Sequence, residues 1–472
     1  MKVKKFLIPM VCGLAFGLSA CGGDSTAANE GDNPFGGGQG LSSDGTAVLP
    51  GSSTSTPVTP GTTAPLAATA DLNAPAALYA AWKSYHFVTL DEEAAYYPSL
   101  AGDFKYVFPA EYQPAARVIW QTAQSSAYNL RCKVDDSTVP IMKFRGCTVS
   151  EGIGYGMLIT AMQGDIAAFN GLWNYSRAFR KYYSTATVPQ RFTPWITFSF
   201  YYDEIDLSSA TDADLDIATS LILMHLKTGE QAYLADALTI AGAIWEKEVK
   251  DNKLLSGDTP MWNGTQGQIV YNLSYFSPVA LRLFAKFDTA HNWTAVLDAM
   301  YTYMASIQAA GTGVFPDWST ETTAANPPNG AAGDEKKGYT FHTFNKESVR
   351  IPWRIAWDYY WFQDQRALAV LQKLNQFIVA KSGGSPSSAA LAVNYSWNLS
   401  LGADDTRNSA VSAQWLSAWC ATGIGTNADW LKACTSAVNT KSVSNTASSY
   451  FSDILLVMYS QLLNGVYTRP AI

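Results

Sequence analysis

Charged residues are scarce in this chain: Asp, Glu, Lys and Arg together make up 15% of its 472 residues. Lys and Arg number 32 against 39 Asp and Glu, a formal net charge of −7. Such a chain lacks the clustered cations that phosphate backbones demand, which argues against nucleic acid as a partner. Histidine is nearly absent, with four residues (His86, His225, His291, His342) scattered along the chain, and no Cys-x-x-Cys occurs. Neither a zinc site nor any other metal site is therefore expected. Beyond the leader, no apolar run reaches the roughly 18 residues of a membrane-spanning helix. Period-two alternation is rare too; Ile196-Thr197-Phe198-Ser199-Phe200 is the best candidate strand.

What is abundant is apolar and aromatic. The chain is 47% hydrophobic, with 15 Trp, 25 Tyr and 21 Phe. That excludes a disordered chain overall and supplies a large core. Most of these rings must be core. Many rings among few charges also suit a neutral, ring-shaped polymer, because sugar faces lie on aromatic planes. Length suggests about two or three domains, a prior that single large barrels often defeat.

The first twenty residues read as an export leader: Lys2, Lys4 and Lys5, then an apolar run from Phe6 to Leu18. The run ends in Leu18-Ser19-Ala20-Cys21, which resembles a bacterial lipoprotein box with Cys21 as the lipidated residue. An ordinary signal peptide with a chance Cys is the alternative. Gly22 rather than Asp follows, which by that resemblance does not suggest inner-membrane retention. The expected location is outside the cytoplasm, anchored to the outer membrane or cell surface, or secreted. Residues 21–71 are rich in Gly, Ser, Thr, Ala and Pro and read as a flexible linker. Cys12 and Cys21 belong to the leader; the pairs Cys132/Cys147 and Cys420/Cys434 are disulfide candidates, with buried thiols as the alternative.

From residue 72 on, apolar spacing is mostly helical, as in Leu234, Leu238, Ala241 and Trp245. Helices are predicted in pairs: 214–228 with 231–249, 274–288 with 291–309, 351–362 with 365–382, and 408–421 with 426–438. Repeated hairpins point to an all-α toroid forming one domain over 72–472. A generic solenoid is the alternative, but no fixed sequence period supports it.

Four polar clusters interrupt the pattern. Ser150-Glu151-Gly152-Ile153-Gly154-Tyr155-Gly156 opens an apolar helix. Its glycines would let a bulky substrate approach the backbone, and a carboxyl among aromatics would have a raised pKa, as a general acid needs. A plain acidic N-terminal cap is the alternative. Thr211-Asp212-Ala213-Asp214-Leu215-Asp216 opens another helix, where capping needs only one acid and a calcium loop lacks its later Glu. Asn272-Leu273-Ser274-Tyr275-Phe276 and Phe315-Pro316-Asp317-Trp318 put rings and hydroxyls on loops. Glu347 and Arg350, three apart, face the same side of a helix start, where a structural salt bridge is the simplest reading.

Together these motifs resemble glycoside hydrolase family 8 over roughly 75–465, in the family's order. The resemblance implies an (α/α)6 barrel and inverting hydrolysis without a cofactor. Ser-Glu-Gly-x-x-Tyr-Gly at 150–156 would carry the general acid, Glu151. Ala-Thr-Asp-Ala-Asp-x-x-Ile-Ala at 210–218 is similar to the family signature; Asp212 would bind the distorted sugar, with Asp214 beside it. Thr228 stands where that signature usually ends in Trp. Ser-Tyr-Phe at 274–276 and Pro-Asp-Trp at 316–318 match cleft segments. The family's base is usually an Asp three before an Arg; here Glu347 precedes Arg350, one methylene longer. Asp317, Asp334 and Glu335 are the alternative bases, from an inserted loop.

The implied substrate is a β-1,4-linked wall polysaccharide. Cellulose or mixed-linkage β-glucan leads, because the Asp212-Ala213-Asp214 and Arg350-Ile351-Pro352-Trp353-Arg354 runs look more like the glucanase members. Xylan comes second and chitosan third. Tyr155, Trp195, Trp262, Tyr275, Trp318, Arg350 and Trp353 complete the expected substrate-binding set. A monomer is expected, touching a membrane only through its lipid. A non-catalytic glycan-binding lipoprotein is the rival from another class; a structural envelope protein would not need paired carboxylates at helix starts.

Overall fold

The computed structural model describes residues 62–120, 146–197, 199–200, 204–260, 262, 269–320, 342–400, 403–404, 411–444 and 449–472. The leader over 1–20, Cys21, the linker up to residue 61, Cys132, Asp334 and Glu335 lie outside them.

Fourteen α-helices occur among the described residues. The first three, α1 (Asn73–His86), α2 (Leu90–Tyr96) and α3 (Ala101–Val107), precede a series of hairpins. These are α4 (Ser150–Gln163) with α5 (Ile166–Tyr183), and α6 (Thr211–Thr228) with α7 (Gln231–Glu248). Next come α8 (Pro278–Phe287) with α9 (Trp293–Ala310), and α10 (Ile351–Phe362) with α11 (Gln365–Ser382). Then α12 (Ala413–Ala421) pairs with α13 (Ala428–Val438), and α14 (Tyr450–Leu463) pairs with α1.

The first members form a closed inner ring: α4 touches α6, then α8, α10, α12 and α14 follow in turn, and α14 returns to α4. Closure makes the architecture an (α/α)6 barrel and excludes the open solenoid. Composition explains which helix goes where. In α6 every residue from Thr211 to Met224 is buried, and in α14 every residue from Asp453 to Leu463. Helices buried all round belong inside. Outer helices are one-sided: α11 buries Ala367, Val370, Leu371, Leu374 and Ile378 at helical spacing and exposes Arg366 and Lys373. Local signals set the ends. Asp165 accepts from Ala168 N to cap α5, and Gly229 closes α6 at φ 78°, a left-handed conformation that glycine adopts without strain.

Three expectations are revised. Residues 62–71 are packed rather than part of a free stalk: Ala64 N donates to Tyr360 O at 2.8 Å, and Asp71 N to Asn464 Oδ1 at 2.8 Å. The domain therefore begins no later than residue 62, not at 72. Backbone bonds anchor the segment, and Ala64 is buried in the core with Leu66 and Ala67 packed against it. The strand expected over 196–200 pairs only over Ile196–Thr197, because Ser199 turns the backbone at φ 56°. The helix expected from residue 274 starts at Pro278, after a 3-10 turn over Leu273–Tyr275.

Cys420 and Cys434 form a disulfide joining α12 to α13, with Cα atoms 5.2 Å apart. Cys147 is also disulfide-bonded.

Candidate active site

Several helices of the inner ring bring their starts to one end of the barrel, where each contributes a polar side chain. Glu151 is the second residue of α4 and Asp212 the second of α6. Tyr450 opens α14, and the 3-10 turn Ser348–Arg350, preceded by Glu347, leads into α10. Helix N-termini carry partial positive charge, which favours carboxylates at these positions.

Arg350 is the hub. Its Nη1 donates to Glu151 Oε2 at 2.6 Å, to Asp212 Oδ2 at 3.0 Å and to Tyr155 Oη at 3.1 Å. Its Nη2 donates to Glu347 Oε2, which also accepts from Asn272 Nδ2 at 2.7 Å. The guanidinium lies 5.3 Å from the Tyr275 ring centroid. Tyr450 Oη donates to Glu151 Oε1 at 2.8 Å. All of these groups are buried.

One cation serves three carboxyl groups, so they do not ionise alike. Burial pushes Glu151 up to about 8, against the lowering effect of Arg350; Asp212 raises it further, Tyr450 lowers it, and Glu347 raises it. A Glu that keeps its proton at neutral pH has the property of a general acid. Burial also raises Asp212, to about 6, with Arg350 and Arg354 pulling it back. Two N–H donors, from Asn272 and Arg350, converge on Glu347 Oε2.

Glu151 and Asp212 open onto a small pocket lined also by Trp120, Val149, Trp195, Ala210 and Tyr275. Glu347 reaches this pocket's acids through Arg350. Trp262 and Trp318 stack face to face with centroids 5.5 Å apart, and Tyr275 lies 6.4 Å from Trp318, joining that pair to the pocket.

A model of the glycosyl hydrolases family 8 matches residues 141–458. The chain belongs to glycosyl hydrolase family 8. It is 30% identical over 243 residues to Endoglucanase 2 of Ruminiclostridium josui, covering 51% of this chain and 48% of that protein. It is 31% identical over 256 residues to the Beta-glucanase of Niallia circulans, covering 52% of this chain and 60% of that one. The match therefore spans about half the length of these curated relatives. Among solved structures, the apo Beta-1,3-1,4-glucanase from Paenibacillus sp. X4 superposes with a TM-score of 0.64 at 22% identity, covering 86% of this chain and 97% of that chain. That likeness establishes the family 8 barrel fold.

Of the residues singled out in the sequence of this family 8 chain, Glu151, Asp212, Glu347, Arg350, Tyr155 and Tyr275 come together in one hydrogen-bonded or stacked group, and Trp195 lines its pocket. Two take other places. Trp353 is fully buried beneath the site, tilted on Trp357 with its indole N–H donating to Tyr467 Oη, so it offers no sugar platform. Asp214 points away from Arg350, toward Glu248 on α7. Asp317 is occupied otherwise: Oδ1 accepts from Asn345 N, Ser348 N and Ser348 Oγ, capping the turn that carries Glu347. The glycines after Glu151 serve packing instead of substrate approach. A Cβ on Gly154 would lie 3.0 Å from Ala213 O, and one on Gly156 2.9 Å from Val118 and Leu172. Trp120, Asn272 and Tyr450 were missed as site residues. Asn272 sits within a motif already noted; Trp120 and Tyr450 carry no local signal.

Proposed function

We propose that the chain is an inverting, endo-acting glycoside hydrolase that cleaves β-1,4 linkages in cellulose or mixed-linkage β-glucan. The observation that carries the reading is the Arg350 hub, which gathers a proton-holding Glu151, Asp212 and Glu347, the first two opening onto a ring-lined pocket. The names of the curated relatives, endoglucanases and a beta-glucanase, support the substrate class.

In this mechanism Glu151 protonates the glycosidic oxygen. Glu347 takes a proton from a water that attacks the anomeric carbon from the opposite face. Asp212 hydrogen-bonds the sugar at the cleavage point and helps hold its ring nearer the oxocarbenium shape. Arg350 holds Glu151 through Nη1 and Glu347 through Nη2, which brings the two carboxyls that the mechanism needs to one guanidinium. Tyr275 and Trp195 offer apolar surface to sugar rings. By the same proposal the chain acts as an exported monomer tethered through a lipid on Cys21.

The test is time-resolved NMR of the newly formed anomer on β-glucan and on xylan. The α-anomer appearing first on β-glucan supports the reading. Product from xylan alone reassigns the substrate, a β-anomer first overturns the mechanism, and binding without new reducing ends favours a lectin-like role.

A further inference from the structure

Behind Asp212 lies a second acidic group that the mechanism does not use. Asp214 and Glu248 are 1% and 0% exposed and lie within hydrogen-bonding reach of each other. Neither Asp214 Oδ2 nor Glu248 Oε2 meets an N–H or hydroxyl donor. The strongest charges acting on Asp214 are acidic: Glu248 on α7, Asp258 on the following loop, and Asp212 on its own helix. The nearby cations are spoken for on the other face of α6, where Arg350 binds Asp212 and Arg354 binds Asp216 in a two-pronged pair. Two carboxylate oxygens that meet in a buried space without a cation repel each other unless one carries a proton. Burial, with Asp258 adding to it, raises Glu248 to about 8 against the lowering hydrogen bond from Ser209, and burial raises Asp214 with it.

We propose that Asp214 and Glu248 share one proton in the folded protein and act as a positioning pair that locks the start of α6, with Asp212, to the loop that carries Trp262. The surrounding bonds give this pair its leverage. Ser209 Oγ donates to Glu248 Oε1, Ser209 N donates to Asp258 Oδ1 at 3.0 Å, and Asp258 N donates back to Ser209 Oγ at 3.0 Å. Leu255 N donates to Glu248 O at 2.8 Å. Gly257 lies so close to this segment that a Cβ there would stand 2.7 Å from Ser209 O and 2.8 Å from Trp262 Cδ1. Movement of Glu248 is therefore passed to Asp212 on one side and to Trp262 on the other. The functional half of the proposal rests on Asp212 holding sugar; the shared proton does not.

Glu248→Gln separates the possibilities, because its amide N–H reproduces the shared proton toward Asp214 while its oxygen still accepts from Ser209. A carboxyl whose pKa is raised on folding stabilises most below its unfolded value near 4 and loses that stabilisation as pH rises. The Tm of the wild type relative to Glu248→Gln is therefore expected to fall by a few degrees between pH 5 and pH 8. A Tm difference that stays constant across this range overturns the shared proton. For positioning, Glu248→Gln is expected to keep kcat and KM within about threefold at pH 6, and Glu248→Ala to lower kcat/KM by about tenfold or more, as a buried group loses its partner. A folded Glu248→Ala variant with wild-type kcat and KM overturns the positioning role. Should that variant not fold, wild-type kcat and KM in Glu248→Leu overturn it equally. If the wild type hydrolyses nothing, the functional reading fails while the Tm comparison still decides the proton.

Discussion

Arg350 Nη1 stands 2.6 Å from Glu151 Oε2, joining residues 199 positions apart in the chain. The guanidinium has a planar fork with several fixed donors, which lets it bind three carboxyl groups at once. It keeps three acids in a buried space that would otherwise expel them.

Removing that cation should therefore be costly. Arg350→Met is expected to destabilise the fold by about 3–5 kcal/mol, the range for a broken buried ion pair. Arg350→Lys should recover little, since an ammonium cannot span Glu151, Asp212 and Glu347 together. Thermal unfolding of both variants checks this; a Lys variant as stable as the wild type would mean that charge alone suffices.

Glu151→Gln should lower kcat by about 10²–10⁴-fold while KM changes little, because under the proposed mechanism only the proton donor is lost. Reducing-sugar release from β-glucan, with binding followed by affinity electrophoresis, measures both. Activity within tenfold of the wild type removes Glu151 from its role.

The raised pKa of Glu151, about 8, sets an alkaline limit. kcat/KM should fall above about pH 8, as the acid loses its proton in the free enzyme. The sign for stability follows from the same shift. Folded Glu151 holds a proton that the unfolded chain releases near pH 4.5, so its contribution is fully present below that pH and is lost as pH rises to about 8. In Glu151→Gln both the alkaline limb of residual activity and this part of the Tm slope should disappear. A wild-type alkaline limb near pH 6 would contradict the assignment.

Glu347→Asp restores the residue type usual in the family but should not improve this enzyme. Shortening the side chain by about 1–1.5 Å draws the carboxylate from Asn272, whose amide donates at 2.7 Å, and, in the proposed mechanism, from the attacking water. An at least tenfold loss of kcat is expected, with Glu347→Ala losing more. Full activity in Glu347→Ala would move the base to another acid, with Asp334 and Glu335 next to be replaced.

The Cys420–Cys434 bridge closes a short loop between α12 and α13. By chain-entropy reasoning it contributes about 3 kcal/mol. Replacing both cysteines by Ser should lower Tm by several degrees and leave kcat at 25 °C unchanged; an unaltered Tm would show that packing already holds the two helices.

Much was legible without coordinates. Helical spacing announced the hairpins over 211–248 and 351–382 to within a few residues, because a helix declares itself through neighbours three and four apart. Glu151, Asp212, Glu347 and Arg350 were visible because acids and an arginine interrupt apolar runs at helix starts. Asp214 was harder. At 100° per residue it lies opposite Asp212 and Asp216, so its separate fate follows from helix geometry, but Glu248 as its neighbour does not. Trp353 lies in the core despite its place beside a motif, because a ring there reads the same in sequence whether it faces the cleft or the core.

The order of residues alone determined local matters: which segments coil, where they stop, and which carry acids at their first turns. Those are decided by contacts within a few positions. Closure of the ring, the meeting of Tyr450 with Glu151 and the sharing of Arg350 by three acids belong to the tertiary structure. They depend on how six helical pairs pack around one axis, and packing brings together side chains whose distance along the chain says nothing about their distance in space.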